Sequence, residues 1–335
     1  MTDKMPEKYI LPDVTVPEPF SEEGYEEGMK TAEAFLSGVS SREYFKSFDG
    51  GEISYMRYKA ADPKANIVIS IGFTEFAEKY TELAYYLVKS NFNVFTIEHR
   101  GHGYSQRGFS APQTTHIDSF DTYVNDFTFF LRNVVFGLSG ALKTYLVCHS
   151  MGCTIAALAL AENDFSSNIS GAVFASPMVS LAPKGVTECI LLSVVKRSIR
   201  RDGREAVFKY APTFSPDADF KKSGDTSFAR FRRNLSLRAG NEKYQGSSYT
   251  NSWLYESIKA SKSLISKASS INIPCLVLTG ENDTAIKRPF QENFASAIPS
   301  CDYYCVSGAK HSLFTSEHDK LREVLTVVYG FIESH

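Results

Sequence analysis

The stretch Thr144–Ala161, reading TYLVCHSMGCTIAALALA, constrains this chain more than any other. Its first half is a short apolar run of the kind that makes a buried strand. Its second half is rich in Ala and Leu at helical spacing, and only His149-Ser150-Met151-Gly152 separates the two. A strand that becomes a helix in so few residues must turn sharply, and a sharp turn exposes the residue at its apex. That residue is Ser150.

This is the arrangement of a nucleophile elbow. The serine oxygen stands above the sheet, and the N–H of Met151, at the helix N-terminus, points at the charge that develops in acyl transfer. Gly152 lets the helix approach the strand with no side chain in the way. Cys148 occupies the first glycine position of Gly-x-Ser-x-Gly, and a thiol side chain is small enough for the turn to survive. The bland alternative is a serine at an ordinary strand–helix junction, so the weight of the reading falls on what the rest of the chain supplies.

Residues 1–40 open with Pro6, Pro12, Pro17 and Pro19 among many acids, which favours an extended arm, followed by a helix near 22–37. Segments 41–48 and 52–59 read as an antiparallel hairpin around Asp49-Gly50-Gly51. Apolar strands at 65–71, 93–98 and 171–176 then alternate with helices near 78–90 and 117–136, with the elbow among them. Strands that are apolar along their length indicate a mainly parallel sheet covered on both faces.

The alternation stops from Met178 to Ser270, where the sequence is helical or irregular and basic. It resumes with a strand at 274–280, a helix near 288–297, a strand at 302–306 and a helix near 317–334. We therefore expect an α/β fold in four pieces: an arm and helix (1–40), a first core segment (41–176), a helical cap insertion (177–270) and a second core segment (271–335). Cap residues between Phe214 and Gly246 are the expected mobile part.

A serine hydroxyl needs a base to take its proton and a third group to orient that base. Asp283 lies just past the strand at 275–278, and His311 lies in the loop after the last strand. The order Ser150, Asp283, His311 is that of α/β-hydrolases and differs from those of the two protease templates. Glu281 competes with Asp283 for the orienting role, and register favours Asp283. The oxyanion donors are expected to be the backbone N–H groups of Met151 and Phe73, the latter in the loop kept close by Gly72. Other tempting residues read as structural. His149 is expected behind the site, His99 and His102 are expected to be satisfied by backbone groups, and the His116-x4-Asp121 spacing is expected to be chance.

Six scattered cysteines without accompanying histidine clusters read as reduced thiols in a cytosolic protein, with no structural zinc and no other metal or cofactor. A net charge of −2 gives no argument for a nucleic-acid partner. There is no cationic start followed by an apolar core, and no stretch long enough to span a bilayer, so neither a secretory signal nor a transmembrane helix is expected.

Three groups of residues resemble a known family. They are Gly72-Phe-Thr-Glu75 with Tyr80-Thr-Glu-Leu-Ala84, then Glu98-His-Arg-Gly-His-Gly-Tyr-Ser105, and, in the cap, Ala229-Arg-Phe-Arg-Arg-Asn-Leu235 followed by Tyr249-Thr-Asn-Ser-Trp-Leu254. Together with His116-Ile-Asp-Ser-Phe-Asp121 and Gly308-Ala-Lys-His311, they resemble the bacterial lysophospholipases that are close kin of monoacylglycerol lipases. The departures are Cys148 for a glycine, Ile71 where many relatives carry His, and Glu98 for a more usual Asp. The resemblance implies hydrolysis of the carboxylic ester of a lysophospholipid or monoacylglycerol, with Ser150 as nucleophile, His311 as base and then acid, and Asp283 as orienter.

The cap carries its own argument for a lipid or other small ester substrate. Cys189–Val195 is mostly apolar and runs into Lys196, Arg197, Arg200, Arg201 and Arg204. Such a helix either meets acyl chains and anionic headgroups, giving peripheral contact at the inner face of the membrane, or packs on the domain with a solvated basic face. The alternatives at the site are an acyltransferase or transacylase, a non-lipid esterase, an aminopeptidase, and a silent binding protein on the same fold.

Overall fold

The computed structural model describes residues 13–108, 111, 113–183 and 185–335, so Pro6, Pro12 and the first part of the expected arm lie outside the described residues. In chain order the strands are β1 (Ser40–Lys46), β2 (Glu52–Tyr58), β3 (Ala65–Ser70), β4 (Phe92–Ile97), β5 (Thr114–Thr115), β6 (Lys143–His149), β7 (Ile169–Ala175), β8 (Ser248–Tyr249), β9 (Cys275–Gly280) and β10 (Cys301–Val306). The helices are α1 (Tyr25–Ser37), α2 (Thr81–Lys89), α3 (Asp121–Phe130), α4 (Phe136–Ser139), α5 (Met151–Glu162), α6 (Glu188–Asp202), α7 (Phe228–Gly240), α8 (Asn251–Lys267), α9 (Arg288–Ala297) and α10 (His318–Ser334).

Among the described residues, eight strands form one sheet in the order β1-β2-β4-β3-β6-β7-β9-β10. The β1–β2 hairpin and the β2–β4 pair are antiparallel; the other pairs are parallel. Period-two alternation sends side chains of the central strands into two cores. Val68, Leu146 and Cys148 enter the layer with α3, α5 and α8, while Ile67, Ile69, Tyr145 and Val147 enter the layer with α2 and α10. From β3 the chain turns outward to β4 and then crosses back to β6 on the other side. The strand order therefore reverses between β3 and β6, where open α/β sheets leave a crevice at the strands' carboxyl ends.

The expected helix at 117–136 begins later, at Asp121, and its last part widens into a π-turn over Leu131–Val135 before α4. The expected helix near 78–90 opens with a 3-10 turn over Ala77–Tyr80. Residues 176–274 leave the sheet between the neighbouring strands β7 and β9 and carry α6, α7 and α8. This stretch also holds a feature that its sequence does not announce: β8 pairs in parallel with β5, and Val207 bridges to Thr250. Two-residue strands have no room for an alternating pattern, so periodicity cannot reveal them.

A buried arginine ties α7 down. Arg230 donates from Nε and Nη2 to the two oxygens of Glu82 on α2 (2.9 and 2.6 Å) and from Nη1 to Glu22 (3.0 Å). It also reaches the carbonyl of Phe20 and lies over the Tyr25 ring. Its side chain is 0% exposed. One residue thereby links the arm, α1, α2 and α7, in the middle of the stretch expected to be mobile.

Candidate active site

Ser150 caps the turn between β6 and α5 with φ 50°, a left-handed conformation uncommon for a side-chain-bearing residue. Its neighbours hold that strain in place. The Ser150 N–H donates to the carbonyl of Ala175 (3.0 Å), and the Ser150 carbonyl accepts from Met178 (3.1 Å). Gly152 meets a hard steric limit, because a Cβ there would lie 2.2 Å from the Ser70 carbonyl oxygen and 2.6 Å from that of Ile71. Cys148, by contrast, is buried in the core layer with its side chain accommodated.

Nε2 of His311 is 3.0 Å from Ser150 Oγ, and its Nδ1 is 2.8 Å from Asp283 Oδ2. The side chain of Asp283 is 0% exposed, and its Oδ1 accepts the N–H groups of Ala285 (2.8 Å) and Ile286 (3.0 Å). Burial would push this carboxyl up, but the His311 hydrogen bond and charge and the two backbone donors outweigh it and hold it below the usual carboxylate range. Glu281 goes elsewhere, accepting from Ser307 Oγ and the Gly308 N–H.

Behind these three sits a second carboxylate–imidazole pair. His149 Nε2 lies 3.1 Å from the His311 carbonyl oxygen, which also accepts from Ser176 Oγ (2.8 Å). His149 Nδ1 faces Glu75, 3.0 Å from Oε1 and 3.1 Å from Oε2. Each ring nitrogen thus faces an oxygen acceptor. Glu75 also takes the Gly72 N–H, the Tyr80 hydroxyl (2.6 Å) and Lys79 (2.5 Å). Burial raises the Glu75 carboxyl, yet the His149 and Lys79 charges overcome this and hold it well below its ordinary value.

Glu75 therefore braces the loop after β3 that carries Phe73, one of the two expected oxyanion donors. The Phe73 ring packs on Trp253 of α8, with centroids 4.1 Å apart, and on Tyr249. Met151, the other, is the first residue of α5, where backbone N–H groups have no intrahelical partner. Phe73, Ser150 and His311 line one cavity of about 240 Å3.

The remaining histidines stand outside this arrangement. His102 Nδ1 meets the Arg100 carbonyl, but His99 Nε2 meets the Ser70 hydroxyl, so for His99 a side chain replaces the expected backbone partner. Burial pushes His99 down to about 3 and His102 down to about 4, which keeps both neutral. His116 turns to Thr250 and to Asp118, not to Asp121. Sequence reasoning gave no role to Glu75 or to Asn234 and Arg238 of α7, which line the same cavity. The signals for Glu75 were its place in the glycine loop just past a strand end and in the Gly72-Phe-Thr-Glu75 motif.

Over residues 61–319 the sequence matches the family model described as Serine aminopeptidase, S33 (Hydrolase_4). The chain belongs to that family. This Hydrolase_4 protein is similar to lysophospholipase L2 of Escherichia coli, at 26% identity over 309 residues (87% of each chain). It is also similar to the probable lysophospholipase L2 of Haemophilus influenzae, at 26% identity over 79% of this chain and 83% of that one. Saccharomyces cerevisiae monoglyceride lipase is 23% identical over 83% of this chain and 88% of its own.

Among solved structures, a soluble variant of the yeast monoglyceride lipase superposes with a TM-score of 0.73 at 17% identity, covering 89% of this chain and 96% of that one. A carboxyl esterase from Bacillus coagulans gives 0.70 at 17% identity, covering 88% and 98%. The Hydrolase_4 protein thus has the α/β-hydrolase fold.

Proposed function

We propose that this protein is a serine hydrolase that cleaves the carboxylic ester of a lysophospholipid or monoacylglycerol through an acyl-enzyme on Ser150. The observation that carries the reading is the continuous chain Ser150 Oγ to His311 Nε2 (3.0 Å) and His311 Nδ1 to Asp283 (2.8 Å). In this reading Ser150 Oγ attacks the ester carbonyl carbon while its proton passes to His311 Nε2, and Asp283 stabilises the imidazolium. The Met151 and Phe73 N–H groups receive the negative charge on the carbonyl oxygen. Collapse breaks the ester C–O bond, the leaving glycerol oxygen takes the proton from His311, and water repeats the sequence on the acyl-enzyme to release the fatty acid.

The names of the similar lysophospholipases and monoglyceride lipases support the substrate class. The family's aminopeptidase description is less well supported by this cavity. Holding a substrate ammonium needs a free carboxylate near Ser150, and Glu75 is already engaged by Lys79 and His149. Residues 177–270 serve in this reading as a cap over the site.

Peripheral contact with a lipid surface belongs to the same proposal. Ile190 and Val194, one turn apart on α6, are 55% and 44% exposed, and the same helix carries Lys196, Arg197, Arg200 and Arg201. Among the described residues no helix is long and apolar enough to cross a membrane.

The test is fatty-acid release from lysophosphatidylethanolamine, lysophosphatidylcholine and monoacylglycerol by wild type and Ser150→Ala side by side, with fluorophosphonate labelling of both. Release that vanishes in the variant supports the proposal. Labelling of Ser150 without release from any of the three lipids would overturn the substrate class while leaving a serine nucleophile.

A further inference from the structure

Two cavities meet beside Ser150. The one holding Ser150 and His311, about 240 Å3, shares Thr74, Lys222, Gly224, Asn234 and Arg238 with an adjoining one of about 360 Å3. The adjoining cavity adds Asp219 and Asp225 to its wall. Beyond the mutually paired Glu75 and Lys79 beside Ser150, the wall shared by the two cavities carries the cations Arg238 and Lys222, and the adjoining cavity adds two carboxylates.

Arg238 is the unusual member. The other arginines of α7 that are withdrawn from solvent have carboxylate partners: Arg230 has Glu82 and Glu22, and Arg233 has Glu33. Among the described residues Arg238 has none within ion-pair distance. Its Nε and Nη2 donate instead to the carbonyls of Tyr244 (3.2 Å) and Gly246 (2.9 Å), and its guanidinium lies over the Phe214 ring at 4.9 Å. Those two bonds fix the fork, leave three of its five N–H donors to spare and do not neutralise its charge. Partial burial, with no anion to offset it, pulls the group below the ordinary guanidinium range. A desolvated cation held rigid and uncompensated beside a cavity is how a protein prepares for an anion that arrives with the ligand.

Asn234 stands one helical turn before Arg238 on α7, so the two share a face. Its Oδ1 is buried and has no hydrogen-bond partner, an acceptor waiting for a donor. Lys222 is exposed and lines both cavities, and among the described residues it has no carboxylate partner either.

We propose that Arg238, Lys222 and Asn234 form a headgroup subsite that selects a phosphodiester-bearing, single-chain lipid over a neutral acylglycerol. This inference rests on the ester-hydrolase reading above. With the acyl ester at Ser150, the free glycerol hydroxyl donates to Asn234 Oδ1, and the phosphate oxygens accept from Arg238 and Lys222. Asp225 is buried, accepts the Thr315 hydroxyl and faces the Lys79 charge, whereas the exposed Asp219 accepts the Lys221 N–H and keeps an oxygen for the ammonium of a zwitterionic headgroup. Thus the sequence ester, phosphate, amine along the lipid matches the sequence serine, cations, carboxylate along the two cavities.

The measurement is the ratio of kcat/KM for lysophosphatidylethanolamine to that for the monoacylglycerol of the same acyl chain. Arg238→Gln should lower this ratio about 10- to 100-fold, and Lys222→Gln about 3- to 10-fold, because only the phospholipid carries the charge they meet. Lys222 is exposed, so its variant keeps the test informative if Arg238→Gln folds poorly. An unchanged ratio in both variants overturns the subsite, as does a loss in Arg238→Gln that is equal for the two lipids, which would make the residue a brace for the cap. A wild type that hydrolyses the acylglycerol but not the phospholipid overturns the subsite and leaves ester hydrolysis standing. Hydrolysis of neither lipid sinks both proposals together.

Discussion

His149 gives its Nε2–H to the carbonyl oxygen of His311, the residue whose own Nε2 faces Ser150. The loop carrying the base is thus held by its main chain from one side, while Asp283 orients its ring from the other. Because Glu75 fixes His149 and also takes the Gly72 N–H, one buried carboxylate positions both the base loop and the loop carrying Phe73.

This double duty predicts that His149→Phe lowers kcat on the order of 10- to 100-fold with KM little changed, since the lost contact positions the base and touches no substrate. Steady-state kinetics checks it, with circular dichroism to show that the fold is kept. A kcat equal to wild type would mean that Ser176 alone holds the His311 carbonyl.

The acid side of the stability curve carries a second expectation. Glu75 is held well below its ordinary value in the folded protein and titrates near 4.3 when unfolded, so its contribution is fully present above about pH 5. As the pH falls through that range, the unfolded chain takes up the proton first and the contribution is progressively lost. Glu75→Gln should be less stable than wild type at pH 7, and the gap should narrow toward pH 3. Urea midpoints measured across pH 3–7 decide this, and a gap that stays constant would contradict it.

Asp283 and Glu281 separate sharply by environment. Asp283→Asn should reduce kcat on the order of 10^3- to 10^4-fold, because it reverses the donor–acceptor relation with His311 Nδ1. Glu281→Gln should stay within about threefold, since its bonds run to Ser307 and Gly308. Both are read from ester turnover by the purified variants.

Gly152→Ala should destabilise the fold by about 3 kcal/mol or more, because the new methyl meets the Ser70 and Ile71 carbonyl oxygens, which are backbone and cannot step aside. Thermal unfolding measures it. A shift in Tm of only a degree or two would show that α5 can slide outward.

Arg230→Met should cost about 3–5 kcal/mol, because Glu82 would be left buried without its cation. Denaturant titration gives the figure. Adding Glu82→Gln to the same variant should recover part of it, as expected when the loss is an orphaned charge and not a cavity.

Much of the architecture is legible in the sequence because it rests on local signals. The central strands are apolar along their length, helices alternate with them, and Ser150, Asp283 and His311 each lie within a few residues of the carboxyl end of β6, β9 or β10, which brings them to one end of the sheet. Other features arise from partners far apart in the chain. Arg230 lies in a run of basic residues that reads as solvated surface, and only the approach of Glu22 and Glu82, about 200 and 150 positions earlier, turns it into a buried clamp. Glu75 and His149 meet because β3 and β6 are neighbours, a fact of sheet order that no short window contains. The β5–β8 pair is likewise a product of the surrounding packing and has no propensity signal of its own.

The Arg230 clamp also orders events during synthesis. Residues 20–25 emerge early but cannot complete their contacts until α7 has followed, so this closure is among the longest-range in the chain. Until then Glu82 stays on α2 without its counter-charge. Loss of the segment around Phe20 and Glu22, by proteolysis or deletion, would therefore be felt first at α7 and only afterwards in the sheet.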